Sequence, residues 1–355
     1  MTKTRVAFIF GGRSTEHEIS KLSTASILEK IDRQQYDLSL IKIDIEGKWW
    51  LFKGLDINDS SEAEKVRLDK HEESVGCFSF EGKLLSQIDV FFPVLHGTYG
   101  EDGTIQGLFR MLDVAFVGCD VLASANCMDK DFTKRVLRDA GIGIAPYMLA
   151  NKQKQPTFTE VEKELGLPVF LKPANLGSSV GVYKVDNEAD YQNRLAEGLT
   201  LDTKVLIEQE IIGREIECAV LGNENPKASL PGEILMNSEF YDFESKYVDS
   251  NASSTRIPAE ISETETETIR QAAVKAYTAT NCEGLARVDF FLTREGEIMI
   301  NEINTLPGFT NVSMYPKMWE ATGIAYEELL NILIELAIER QERYRNLKVF
   351  AKEVK

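Results

Sequence analysis

The stretch RVDFFLTREGEIMINEIN, from Arg287 to Asn304, decides how this chain reads. Two apolar runs flank Glu295-Gly296, and a glycine there suits a tight two-residue turn, so the segment predicts a β-hairpin. Closing it at that pair sets Arg294 opposite Glu297, Phe291 opposite Ile300, Asp289 opposite Glu302 and Arg287 opposite Asn304. Strand side chains alternate, so Arg287, Asp289, Glu302 and Asn304 share one face. Two carboxylates directly opposite one another repel and weaken a sheet. A hard divalent cation removes that objection, because Mg²⁺ takes oxygen ligands from carboxylates, an amide carbonyl and substrate phosphates. A solvated sheet face carrying ordinary charges would show the same residues. The sequence that follows, NTLPGFT, leaves the strand through Pro307-Gly308 and favours a site.

At 355 residues the chain predicts two or three domains. Its formal charge of −17 argues against a nucleic-acid surface, which needs a basic stripe, but leaves room for a local cationic pocket. The five cysteines, Cys77, Cys119, Cys127, Cys218 and Cys282, are scattered and lack CxxC spacing. They read as reduced structural thiols of a cytosolic protein. TKTRVAFIFGG has too short an apolar run for a signal peptide, and no apolar stretch is long enough to span a bilayer. The expectation is a cytoplasmic α/β (α+β) protein with neither nucleic acid nor membrane as partner.

Three blocks follow along the chain. Residues 1–122 read as an α/β unit: RVAFIF is a buried strand, Gly11-Gly12 a turn, and Thr15 with Glu18 a capping box. The helix that follows groups Ile19, Leu22, Ser26 and Leu28 and ends near Ile31. Residues 123–205 hold the helix DKDFTKRVLRDAG, a polar linker and the strands PVFLKPA and VGVYKV. Residues 206–355 continue from KVLIEQEI through the hairpin to the amphipathic helix YEELLNILIELAIERQERY. Between them, Asn237 to Glu260 reads as a long polar loop with four aromatics, the profile of a functional lid.

Within LKPANLGSSVGVYKV, the run Gly177-Ser178-Ser179-Val180-Gly181 lies between two strands. It reads either as a plain hairpin turn or as a flap whose N–H groups cradle phosphate oxygens. Lys172, ending the first strand, and Lys130, in the first turn of a helix, are placed to neutralise phosphate charge. In VLIEQEIIGREIE, Glu208 can accept from an adenine amine or ribose, and Glu215 from a ribose hydroxyl; each alone also reads as a surface charge. FGGRSTEHEIS lacks the third glycine of a dinucleotide fingerprint, and Glu16 and Glu18 would repel a pyrophosphate, so Glu16 suits an ammonium group better. Of the three histidines, His17, His71 and His96, none forms a zinc-protease pair; His96 opens a glycine-rich loop after an apolar strand, a common functional position.

Taken in order, GGRSTEHEIS, FPVLHGTYGEDGTIQG, VGCDVLASANCMDK, LKPANLGSSVGV, YDFESKY, ARVDFFL and NEINTLPGFTNVSMYP resemble the D-alanine–D-alanine ligases of the ATP-grasp superfamily over nearly the whole chain. The resemblance implies an ATP-grasp fold of three domains, with ATP between the central and C-terminal ones under the flap. It implies two Mg²⁺ ions, or Mn²⁺ in their place, on Asp289, Glu302 and Asn304. It places Lys130, Lys172, Ser179, Glu208, Gln209, Ile211, Glu215, Phe240, Phe291 and Asn301 at the nucleotide. Glu16 is expected to hold the ammonium of a first D-alanine, with Ser178 and Tyr247 bonded across to it. Lys246 and Ser313 are expected at the second D-alanine's carboxylate, with His96 and Met314 nearby. Arg287 and the Gly308 N–H are expected to stabilise the reacting carboxyl. The implied reaction runs through a D-alanyl phosphate to a dipeptide for peptidoglycan precursors, in a homodimer. A relative joining D-serine or D-lactate in second position is the alternative, disfavoured by the retained Lys246-Tyr247.

Overall fold

The computed structural model describes residues 3–72, 74–236 and 253–347. The first of three sheets has eight strands in the order β6-β5-β4-β3-β2-β1-β7-β8. These are β1 (Thr4–Gly11), β2 (Tyr36–Ile43), β3 (Trp49–Leu51), β4 (Glu64–His71), β5 (Ser74–Phe78), β6 (Leu84–Gln87), β7 (Val90–Val94) and β8 (Ala115–Phe116). β1 runs parallel to β2 and β7, and β7 to β8; the β2-to-β6 side is antiparallel. A strand covered on both faces needs no polar alternation, which is why VAFIF is continuous and wholly buried.

Helix α1 (His17–Lys30) packs on β1 and β7, but differently from the sequence expectation. Glu16, not Thr15, caps it, and no side chain closes the cap. Ser14 Oγ instead accepts from the Glu16 N–H at 3.1 Å, while Glu18 pairs with Lys21 at 2.8 Å. The buried face is Ser20, Ser23, Thr24, Ser26, Ile27 and Leu28, and Leu22 is exposed. Small hydroxyl residues let the helix lie close to its neighbours and still satisfy backbone groups. Ser20 Oγ accepts from Gly11 N–H and donates to the Val94 carbonyl, and Ser23 Oγ accepts from Phe309 N–H at 3.3 Å. α2 (Thr104–Leu112) completes this part.

After α3 (Val121–Met128) and α4 (Lys130–Asp139), an antiparallel sheet forms in the order β11-β10-β12-β9. It comprises β9 (Tyr147–Asn151), β10 (Val169–Pro173), β11 (Tyr183–Val185) and β12 (Lys204–Gln209), backed by α5 (Phe158–Leu165) and α6 (Glu188–Leu201). A sequence division after Val205 therefore falls inside β12, which pairs with both β10 and β9.

The third sheet has the order β16-β15-β13-β17-β18, with β14 (Lys227–Ala228) on β13. Its strands are β13 (Gly213–Gly222), β15 (Gly232–Met236), β16 (Ser253–Arg256), β17 (Gly284–Thr293) and β18 (Ile298–Asn304). β16 belongs to the stretch read from sequence as a continuous loop; it pairs with β15, Arg256 opposite Glu233. α7 (Glu263–Ala279), opened by a Ser262–Glu265 capping box, covers one face together with α3 and α4. α8 (Met314–Ala321) and α9 (Tyr326–Arg345) turn back to the first sheet. Leu329, Leu330, Leu333 and Ile334 share one buried cluster with Val6, Phe8, Phe10 and Phe92. Arg340, buried, locks that return by donating to the carbonyls of Gly118 at 2.5 Å and Phe116 at 2.7 Å. No helix of the described residues is long and apolar enough to cross a membrane.

The hairpin forms with a different turn. Thr293, not Arg294, lies opposite Glu297, its N–H donating to the Glu297 carbonyl at 2.9 Å, so the loop is Arg294-Glu295-Gly296. Gly296 takes φ +83°, the left-handed residue such a three-residue loop requires. Phe291 consequently faces Met299 rather than Ile300. A bulge then sets Asn301 between the pairs Phe290–Ile300 and Asp289–Glu302, and restores Asp289 opposite Glu302 and Arg287 opposite Asn304.

Candidate active site

Four loops and one sheet face converge. The face belongs to β13, β17 and β18, where Glu217, Asp289 and Glu302 stand in one cross-strand row. Arg287 answers this density of negative charge: its guanidinium holds Asp289 through two bonds of 2.7 Å and reaches Glu217 at 3.1 Å. Burial opposes the arginine's charge, but Asp289 and Glu217 outweigh it and hold the group firmly cationic. The donors offered around Glu302 are all hard oxygens: the Asp289 and Glu302 carboxylates and, at the strand end, the Asn304 amide, whose Oδ1 accepts from Leu306 N–H at 3.0 Å. That set suits Mg²⁺ or Mn²⁺ and lacks the imidazole or thiolate of a zinc centre.

Beside the row lies a second charged group. Lys172, on β10, reaches Glu208 Oε2 and Asn301 Oδ1, each at 3.3 Å. Glu208, on β12 opposite Phe170 and Tyr147, also meets Lys134 at 3.2 Å. Burial pushes the Glu208 carboxyl up, yet Lys172 and Lys134 together hold it below its usual range. Asn301, the bulged residue, is thus aimed at Lys172. Gln209 and Ile211 carry the chain out of β12 towards β13, where Glu215 and Phe291 face each other.

Over this floor runs the loop Gly177–Gly181. Ser178 and Ser179 have φ +52° and +58°, uncommon for residues with side chains and costly unless surroundings enforce them. Lys130 reaches under the loop, its Nζ donating to the Leu176 carbonyl at 2.6 Å. Ser178 Oγ donates a short hydrogen bond to Glu16 Oε1, tying the loop to the N-terminal unit. Arg13, Ser14, Thr15, Glu16, Gly97 and Gly177 help line a cavity of about 490 Å³ there.

His96 closes one side. Its Nδ1 lies 3.2 Å from the Leu306 carbonyl, and its buried Nε2 has no partner among the described residues. Burial lowers its pKa, Glu16 opposing only in part, so the ring is neutral at neutral pH. Glu101, in the same loop, accepts from Gly97 N–H at 2.6 Å; burial and then Glu16 push its carboxyl well above the usual range. A Cβ at Gly308 would stand 2.9 Å from Ser313 Oγ, so a side chain there would push that hydroxyl aside. Ser313 itself receives the Thr310 N–H at 3.0 Å.

The structure thus gathers Glu16, Ser178, Ser179, Lys130 and His96 on one side and Lys172, Glu208, Asn301, Arg287, Asp289, Glu302 and Asn304 on the other. Met314 is buried in the apolar cluster, against Gly232. Phe240, Lys246 and Tyr247 lie outside the described residues. Sequence reasoning missed Glu217, Lys134 and Glu101. Only the pairing of β13 with β17 brings Glu217 to the row, whereas Glu101 stood within a loop already read as functional.

Two antiparallel sheets facing each other across a cationic floor, one carrying a glycine-serine loop and the other a carboxylate row, define an ATP-grasp ligase. Family models described as "D-ala D-ala ligase N-terminus" and "D-ala D-ala ligase C-terminus" match residues 5–119 and 136–335. The chain belongs to the D-alanine–D-alanine ligase family. It is 48% identical to D-alanine--D-alanine ligase A of Salmonella typhimurium over 98% of this chain and 99% of the relative. The D-alanine--D-alanine ligase of Proteus mirabilis is 46% identical over the same shares. Among solved structures, the D-alanine-D-alanine ligase from Coxiella burnetii superposes with TM-score 0.88 at 38% identity, covering 97% of each chain. The VanG D-Ala:D-Ser ligase from Enterococcus faecalis follows at 0.86 and 35%, covering 95% of this chain and 100% of the other.

Proposed function

We propose that the protein joins two D-alanines at the expense of ATP, releasing ADP and phosphate. The observation that carries this reading is the Ser178–Glu16 hydrogen bond. It sets a carboxylate suited to an ammonium beneath a loop suited to phosphates, so amino acid and nucleotide meet at one point. A carboxylate does not condense with an amine unaided; phosphorylation by ATP converts it into an acyl phosphate that does.

In this scheme Glu16 holds the first D-alanine's ammonium and turns its carboxylate towards the γ-phosphate. Lys130 and Lys172 offset phosphate charge, and the N–H groups of the Gly177–Gly181 loop cap the phosphates. Glu208, with the chain at Gln209 and Ile211, receives the base, and Glu215 a ribose hydroxyl. Asp289, Glu302 and Asn304 would hold Mg²⁺, or Mn²⁺ in its place, which when bound offsets charge on the transferring phosphoryl group. The second D-alanine's amine attacks the acyl carbon and expels phosphate. Arg287 and the Gly308 N–H stabilise the oxyanion, and Ser313 orients the incoming carboxylate. Closure of the loop over the site keeps water from hydrolysing the acyl phosphate.

D-alanine rather than D-serine in second position is favoured by the sequence Lys246-Tyr247 and by the 48% and 46% identity to the ligases of Salmonella typhimurium and Proteus mirabilis, against 35% to the D-Ala:D-Ser enzyme. The same proposal makes the product a building block of peptidoglycan, formed by a cytoplasmic homodimer, with consequences for cell-wall assembly and cell shape. Phosphate release from ATP, measured with D-alanine, L-alanine, D-serine and D-lactate and with products identified by mass, tests the reading. D-alanyl-D-alanine as the dominant product is expected; release that is independent of any D-amino acid would overturn it.

A further inference from the structure

Lys134 has no place in the scheme above, yet it is among the most deeply buried charged groups of the molecule, 2% exposed. It projects from α4 beneath the nucleotide floor, its Nζ 3.2 Å from Glu208 Oε1. The other Glu208 oxygen is 3.3 Å from Lys172, whose side chain is 13% exposed. Asp131, the acid nearest in the same helix, is already taken up by Arg135 at 2.8 Å, Lys204 at 3.6 Å and Tyr147 Oη at 3.0 Å. Two lysines therefore share one carboxylate.

A buried cation is expensive to desolvate, and Lys134 is held there by its pairing with Glu208. We propose that Lys134 is a positioning residue: it absorbs the charge of Glu208 so that Lys172 stays available to the phosphates of the nucleotide. Without Lys134, Glu208 draws Lys172 into a neutral pair, away from Asn301 and from any phosphate. This inference rests on the nucleotide reading of the site proposed above.

Calorimetric titration of ADP and of adenosine into the full-length protein separates the possibilities. Lys134→Met keeps the side chain's length and removes its charge. It should weaken ADP about tenfold or more, the effect of losing one charge-assisted contact, while adenosine changes less than about threefold. Lys134→Arg, which keeps the charge, should stay within about threefold of the parent for ADP. In a Glu208→Gln background the substitution Lys134→Met should cost ADP less than about threefold, because no carboxylate remains to capture Lys172. That comparison also serves if Lys134→Met alone fails to fold. Equal losses for adenosine and ADP would make Lys134 a structural prop and overturn the proposal, as would unchanged ADP affinity or a full tenfold loss in the Glu208→Gln background. A parent protein binding neither ligand would remove the nucleotide site itself, and this inference with it.

Discussion

Single side chains divide the site into an amino-acid end and a phosphate end, and substitutions should separate the two. Glu302→Gln keeps the shape of the row but removes a hard anionic ligand. Turnover should fall about a hundredfold or more while the thermal midpoint stays close to the parent's. Normal turnover at saturating Mg²⁺ would show that the row binds no catalytic ion. Glu16→Gln should raise the KM for the first D-alanine about tenfold or more, the worth of a charge-assisted hydrogen bond, and leave ATP affinity nearly unchanged. Weakened ATP binding instead would move the N-terminal loop to the nucleotide. The residues legible beforehand were those whose neighbours lie close in sequence. Asp289 and Glu302 face each other across one hairpin, so alternation alone finds them. Glu217 joins the same row only because β13 pairs with β17, some seventy residues on. Lys134, on α4, likewise meets its carboxylate partner only on β12, some seventy residues on, at Glu208.

At the scale of elements, the hairpin reached its expected site register by an unexpected route. The turn holds one residue more than a two-residue turn would leave on that side, and Asn301 bulges out on the other, so the two irregularities cancel beyond the bulge. A periodic pattern cannot reveal such a pair, because each shifts the face by one residue and both are written in ordinary amino acids. The bulge is thus dispensable for Asp289–Glu302 pairing but not for Lys172, which bonds to Asn301. Deleting Asn301 should leave a regular ladder and a folded protein, while the KM for ATP rises several-fold or more, about what one lost hydrogen bond to a charged group costs. An unfolded deletion mutant would mean that the bulge relieves strain in the sheet. Helix α1 teaches a related lesson. Its apolar spacing pointed to Leu22, but the helix buries serines and a threonine, because its closest neighbours present backbone groups to be satisfied.

Across the whole molecule, packing runs over the divisions drawn from sequence. The chain's last long helix covers the first sheet, and the largest buried cluster mixes residues from both ends. Arg340 is the clasp, and Arg340→Met would leave two buried carbonyls without donors. A loss of about 3 kcal/mol or more is expected, read as a drop of several degrees in Tm with the KM for ATP unchanged. An unchanged Tm would show that the apolar face of α9 suffices alone.

That return of α9 has a consequence for how the protein comes into being. On the ribosome, Val6, Phe8, Phe10 and Phe92 emerge long before α9, which with α1 shares their buried cluster. From Phe116 to Tyr326 the chain grows by about 210 residues, which at bacterial-to-eukaryotic synthesis rates takes roughly 10–40 s. For that interval only the α1 end, through Ile27, Leu28 and Ile31, covers that side of the first sheet, and the apolar surface meant for α9 stays open to water.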